Sequence, residues 1–163
     1  MQEKLYKAMV DKLRLDTGAG SLVELTGHDA TSATGYKIGR ASPTTKDKDP
    51  YLGVKIIQSL PLLATGDVTH VQRARVNFHC SAKSELTAIR LADRIEKLLH
   101  WKVEDDAARG PDEYFDFSNA DISTRSVRFK GRSPEPDFDE DSDVWTDTVE
   151  ADIIWVSQPC PAS

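Results

Sequence analysis

Residues 72–100, QRARVNFHCSAKSELTAIRLADRIEKLLH, contain a strand pattern that leads directly into a helix pattern. Between 72 and 80, polar and apolar side chains alternate, which is typical of a strand with one buried face. Its apolar side chains are Ala74, Val76, Phe78 and Cys80. Between 84 and 100, apolar residues recur every three or four positions, which predicts an amphipathic helix. Together the two patterns predict a sheet that has a helix packed against one face.

The sequence on both sides extends this pattern into an α+β fold. Apolar residues spaced by four over 2–15 predict a first helix, and alternation over 51–58 predicts another strand. A long alternating strand over 144–156 follows a shorter strand that ends near residue 130, so we expect a long β-hairpin near 121–156. We therefore predict a mainly antiparallel β-sheet flanked by helices near 2–15 and 84–100.

The length of the chain, 163 residues, is that of one ordinary domain, and we expect a single α+β domain over 1–163. Residues 27–49 are rich in Thr, Ser, Gly and Lys, which predicts a flexible surface loop with one weak strand candidate at 36–40. Residues 131–143 contain two prolines and six acidic residues, which predicts an acidic loop.

Charge and composition exclude several classes of protein. A formal net charge of −6 argues against a protein that clamps DNA with its whole surface, because such binding neutralises phosphates. No apolar run approaches the roughly 20 residues of a membrane span, and residues 1–16 lack the apolar core of a signal peptide. Cys80 and Cys160 are too few for a disulfide framework or a thiolate zinc site. We expect a soluble protein that is assembled in a reducing compartment.

Sequence motifs of catalysis are missing from the chain. It has no phosphate-binding G-K-[ST] triplet, no G-x-S-x-G nucleophile elbow and no H-E-x-x-H zinc motif. The acidic segment 137–143 superficially resembles a calcium loop, but Ser142 occupies the position where that loop requires glycine. We therefore predict a protein that is not an enzyme, with no catalytic residue, no cofactor and no metal.

Two blocks of opposite charge adjoin each other and provide candidate contact surfaces. The basic block consists of Arg125, Arg128, Lys130 and Arg132. The acidic block consists of Glu135, Asp137, Asp139, Glu140, Asp141 and Asp143. The two blocks can pair within the chain, meet across copies in a ring, or simply be solvated, and the sequence leaves these alternatives open.

Exposed apolar residues provide a second set of candidates for contacts with a partner. The connection between the first two long strands contains Leu60, Leu62 and Leu63, although loops generally run over the surface. Trp145 lies at the start of the last strand. An exposed apolar patch usually marks a contact surface, and packing against the core is the alternative for these four residues.

Several segments carry a resemblance to a known family. They are a first helix, the strand start PYLGV at 50–54, the segment RVNFHCSAKSELTAIRLADRIEKLL at 75–99 and the strand EADIIWV at 150–156. In their order and pattern they resemble the tail-terminator, or tail-completion, proteins of long-tailed bacteriophages. In that family a strand ending in a small-residue turn leads into a helix with small and apolar residues, as Ala88, Ala92 and Ile95 do here.

The resemblance implies an α+β subunit of the virion that forms a ring, commonly of six copies, at the head-proximal end of the tail tube. Such a ring stops polymerisation of the tube and joins it to the head. Its partners would be other copies of the chain, the tail tube protein and the neck or head–tail connector proteins. Assembly would take place in the host cytoplasm without a membrane.

DNA would pass through such a ring as non-specific cargo. Acidic walls repel phosphates, so we expect Glu150, Asp152 or the 135–143 loop to face the channel.

Three alternatives stay open. The first is a neck or head–tail adaptor protein of the same virion. The second is a metal-dependent hydrolase that uses the acidic 137–143 loop with His70 or His79. The third is a cellular adaptor that binds a partner strand along an exposed sheet edge.

Overall fold

The structure is a computed structural model that describes residues 2–31, 35–41, 49–61, 71–99 and 116–157. This part of the chain forms three helices and six strands, in the order α1 (Gln2–Arg14), α2 (Leu22–Thr26), β1 (Ile38–Arg40), β2 (Tyr51–Pro61), β3 (Val71–Ala82), α3 (Glu85–Leu99), β4 (Ile122–Arg132), β5 (Asp137–Asp139) and β6 (Val144–Ser157). The predicted α+β class is confirmed.

The six strands form one mainly antiparallel sheet. The strand order is β1-β2-β3-β6-β4, and β5 pairs with β6. The β1–β2 pair is parallel, whereas the other four pairs are antiparallel. β3 and β6 pair from Val71 opposite Val156 to Ala82 opposite Trp145, so two long strands form the centre of the sheet. β4 and β6 form the long hairpin that was predicted near 121–156.

One face of the sheet is covered by α1 and α3. Its strands contribute the buried side chains Ala74, Val76, Phe78, Cys80, Val149, Ala151, Ile153 and Trp155. These side chains join the buried faces of the two helices in one hydrophobic cluster, to which Leu5 and Met9 come from α1 and Leu91 and Ile95 from α3. The alternation of the strands therefore directs most of the polar side chains of β3 and β6 to the opposite face, whereas Asp147 lies on the inner face.

A charged contact fixes α3 against the connection between α1 and α2. Arg94 donates hydrogen bonds from Nη2 to Asp16 Oδ1 at 2.6 Å and from Nε to Asp16 Oδ2 at 3.0 Å. The same carboxylate accepts the backbone N–H of Leu22 at 2.8 Å, beside Ser21, whose side chain caps α2. Bidentate Arg–carboxylate contacts of this kind also fix orientation.

Two short strands lie inside segments that the sequence predicted to be loops, and the first of them, β1, coincides with the weak strand candidate at 36–40. β1 falls within 27–49, and β5 falls within 131–143. Each has three residues, and those of β5 are all exposed, so β5 leaves no alternating pattern that can be recognised in the sequence. Residues 32–34 and 42–48 of the first predicted loop lie outside the described residues.

Candidate functional site

The face of the sheet opposite α1 and α3 is polar, and we call it the open face. β3 contributes Arg73, Arg75, Asn77 and His79 to it, and the last three are in register with Asp152, Glu150 and Thr148 of β6. β2 adds Lys55, which is opposite Asn77, and β4 adds Arg128, which is opposite Asp152. The open face is thus a continuous surface across four strands.

Asp152 lies at the centre of the open face and is 5% exposed. Its Oδ2 atom accepts a very short hydrogen bond from Arg73 Nη2 and lies 3.3 Å from Lys130 Nζ. Burial raises the pKa of this carboxyl, but hydrogen bonds and attraction from Arg73 and Lys130 outweigh that effect, so the pKa is lowered overall. Asp152 is therefore a carboxylate held between two cations.

Glu150 and His79 lie on the same face of the sheet as Asp152. Glu150 Oε1 accepts from Arg75 Nη2 at 2.6 Å and from Nε at 3.0 Å. His79 Nδ1 is 3.2 Å from Thr148 Oγ1. Burial and the nearby Lys55 charge lower the pKa of the His79 imidazole, which favours its neutral form.

The charge on the open face is predominantly positive. It carries the basic residues Lys55, Arg73, Arg75, Arg128 and Lys130. In the described part of the chain, its acidic residues are Glu150 and Asp152, each paired with a neighbouring cation. The alternation in the sequence placed these two acids on the correct face, but the basic residues of adjacent strands outnumber them. The face therefore does not have the acidic character that we expected of a channel wall.

The acidic block forms a second surface. Residues 133–146, which we call the acidic hairpin, comprise the turn into β5, β5 itself and the start of β6. Asp139 accepts hydrogen bonds from the backbone N–H of Asp141 at 3.0 Å and from Ser142 Oγ at 2.8 Å, which order the turn. β3 ends at Ala82, opposite Trp145, so the turn at 140–143 lies beyond the end of the central strand pair.

Trp145 lies at the base of the acidic hairpin and contacts Phe138. The two rings face each other across the β5–β6 pair, with centroids 4.8 Å apart. Trp145 is half-buried, whereas Phe138 is 44% exposed. The sequence indicated Trp145 as a contact candidate but gave no signal for Phe138, because β5 was not recognisable as a strand.

The predicted basic block is divided by the fold. Arg132 does not lie on an exposed contact surface: it joins β6 to α3 by binding Asp147, Asp93 and Glu96. Arg132 Nη2 lies 2.6 Å from Asp147 Oδ2, and this hydrogen bond is the largest cause of the raised pKa of the guanidinium. Arg132 therefore stabilises the fold and is not an exposed residue that could contact a partner.

The other three members of the basic block are Arg125, Arg128 and Lys130, and all are exposed. Lys130 pairs with Asp152 on the open face. The ion pairs of the block thus connect it to Asp93, Glu96, Asp147 and Asp152, none of which belongs to the acidic hairpin. Of the open alternatives, the described contacts do not support pairing of the two blocks within the chain.

Cys80 lies in the core directly opposite Asp147. Burial raises the pKa of the thiol, and the charge of Asp147 raises it further. A protonated, buried thiol packs as a small apolar side chain, which agrees with the alternation that placed it on the inner face.

The apolar contact candidates are only partly visible in the structure. Leu60 lies near the end of β2, opposite Arg73, and is 52% exposed. Ile57, which the sequence did not indicate, is 48% exposed at the irregularity in the β2–β3 pairing. Leu62 and Leu63 lie outside the described residues.

A groove of about 530 Å³ lies between α1 and the edge of the sheet. Its lining includes Tyr6, Arg40 and Lys55. Burial raises the pKa of the neighbouring Tyr51 to about 12, and the hydroxyl of Tyr51 donates to the backbone oxygen of Arg40 at 2.8 Å. The groove carries charges of both signs, since Glu3 lines it as well.

Within the described residues, no group of three or more His, Cys, Asp or Glu side chains is arranged to hold a metal ion. His70, one of the two histidines considered for a hydrolase, lies outside these residues. No helix in the described part of the chain has the length and apolar character needed to cross a bilayer. No protein-family model matches the chain, and no curated protein matches its sequence significantly.

Proposed function

We propose that this chain is a structural subunit that acts by binding copies of itself and a larger assembly, without catalysing a reaction. The observation that carries the proposal is the presence of two distinct polar surfaces, the open face and the acidic hairpin, on one small α+β domain. Surfaces that differ from each other favour head-to-tail association, which produces a ring when the rotation between copies closes.

Within this class we propose a bacteriophage tail terminator, which forms a ring on the head-proximal end of the tail tube and stops its growth. The segments that carry the resemblance coincide with regular elements of the fold. PYLGV contains the start of β2, residues 75–99 span most of β3 and all of α3, and EADIIWV lies in the second half of β6. This agreement supports the resemblance at the level of element order.

A tube-growth experiment tests this function. Purified tail-tube subunits are polymerised with and without the protein, and tube lengths are measured by electron microscopy. A terminator shortens the tubes in proportion to its concentration and is found at one tube end. Unchanged lengths together with binding to head connectors would instead identify a neck or head–tail adaptor.

A further inference from the structure

We propose that the acidic hairpin of one copy docks on the open face of a neighbouring copy. This inference deepens the self-association part of the proposed function and names its two surfaces. It does not depend on whether the assembled protein caps a tail tube.

The first argument is charge complementarity. The segment 133–143 contains six acidic residues and no basic one. Among the residues that the structure describes, the open face carries five basic side chains and two acidic ones, although the whole chain has a net charge of −6. A positive face attracts an acidic partner and repels the same positive face of the next copy. Complementary charges thereby determine which surfaces meet.

The second argument is that the hairpin cannot reach the open face of its own chain. β6 continues from the open face into the hairpin, and Asp152 and Trp145 are seven positions apart on this strand. At roughly 3.3 Å per residue they are separated by about 23 Å along an extended backbone. If the acidic hairpin docks on the open face, it therefore comes from a second copy, and the contact is head to tail.

Apolar contacts are available to support the charges. Phe138 is 44% exposed on the hairpin, and Leu60 is 52% exposed near the end of β2. Leu60 lies in one row of the open face with Arg73 and the half-buried Ile154. Exposed ion pairs contribute little affinity by themselves. The charges therefore determine the orientation of the two copies, and Phe138, Leu60 and Ile154 contribute part of the affinity.

Charge reversal on each surface tests the proposal. The hairpin variant replaces Glu135, Asp137, Glu140 and Asp141 by Lys, which changes the charge of residues 133–143 from −6 to +2. The face variant, Lys55→Glu with Arg128→Glu, changes the charge of the open face from +3 to −1, and all six side chains are exposed. Sedimentation velocity on wild-type protein should show oligomers that dissociate as salt increases. Each variant alone should associate at least about tenfold more weakly, because like charges then meet at the interface.

Mixing the two variants distinguishes docking from a general effect of net charge. In an equimolar mixture, the basic hairpin of the hairpin variant meets the acidic open face of the face variant. The acidic hairpin of the face variant meets the basic open face of the hairpin variant, as in the wild type. Oligomers should therefore reappear. The control replaces four exposed carboxylates on the helices, Glu3, Asp11, Glu24 and Glu85, by Lys. It changes the net charge by the same amount as the hairpin variant and should associate as wild type does.

Three outcomes would overturn the proposal: a monomeric wild-type protein, variants that associate normally, or mixed variants that stay apart. Fluorescence anisotropy with duplex DNA identifies one competing occupant. If the wild type is monomeric and the face variant loses DNA binding, the open face binds a nucleic acid. If the mixed variants assemble but tube growth is unaffected, the docking stands and the tail-terminator function fails.

Discussion

Arg132 Nη2 lies 2.6 Å from Oδ2 of Asp147. Asp147 belongs to the inner face of β6, which also carries the buried side chains Val149, Ala151, Ile153 and Trp155. Asp147 is 1% exposed, and Arg132 extends from it to two carboxylates of α3. This contact joins the β4–β6 hairpin to α3. It lies at the end of the sheet from which the acidic hairpin extends.

Replacing Arg132 by Met should destabilise the fold strongly, because it leaves the buried Asp147 carboxylate without its cation. Removing one partner of a buried ion pair costs about 3–5 kcal/mol in free energy of unfolding. Urea denaturation measures the loss. The double variant Arg132→Met with Asp147→Leu should recover much of it, since no buried charge then remains; no recovery would mean that Arg132 stabilises the fold by another route.

Acid should destabilise the protein through Asp152, whose folded-state pKa is lowered. A lowered pKa means that the carboxylate stabilises the fold above its unfolded value of about 3.9 and loses this contribution as the pH falls through the folded value. The free energy of unfolding, measured between about pH 6 and pH 2, should decrease less steeply for Asp152→Asn than for the wild type. If the stability of Asp152→Asn fell with pH as steeply as that of the wild type, the ion pairs of Asp152 with Arg73 and Lys130 would not contribute to the pH dependence.

His79 should add a second pH dependence at higher pH. Burial lowers the pKa of its imidazole, so the neutral form stabilises the fold above the unfolded value of about 6.5. This contribution is lost as the pH falls from about 7 through the folded value. In an NMR titration the His79 ring should protonate below the usual range, and His79→Gln should flatten the stability profile in this window. A normal or raised pKa would contradict the burial of His79 on the open face.

Asp143 should tolerate glycine better than valine. Its φ of 55° lies in the left-handed region, where a β-branched residue is strained and glycine is not. Asp143→Val should cost about 1–2 kcal/mol in free energy of unfolding, whereas Asp143→Gly should cost little or nothing. Equal losses in thermal or urea unfolding would mean that the Asp143 side chain, and not its backbone, stabilises the turn.

The sequence was sufficient to predict the long elements of the fold. β3, α3 and β6 each carry a sustained apolar period, because one side of each is buried in the same core. The three-residue strands β1 and β5 have too few positions to show a period, and β5 buries none of its residues. They form because a neighbouring strand offers unpaired backbone groups.

The charged contacts were the part that local pattern could not predict. Alternation placed Asp152 on the polar face, but its burial depends on Arg73, which is 79 positions away in the chain. In the sequence Arg132 lies in a block with exposed basic neighbours, whereas its partner Asp93 is 39 positions away on α3. Such pairs depend on strand order and helix placement, which a single sequence does not specify.

The mass and shape of the purified protein test the central claim most directly. Light scattering combined with negative-stain electron microscopy should show closed rings of one uniform size, with six copies as the number that the resemblance implies. A compact monomer at every concentration tested would contradict the account, because a protein that acts through contacts between its own copies must form them.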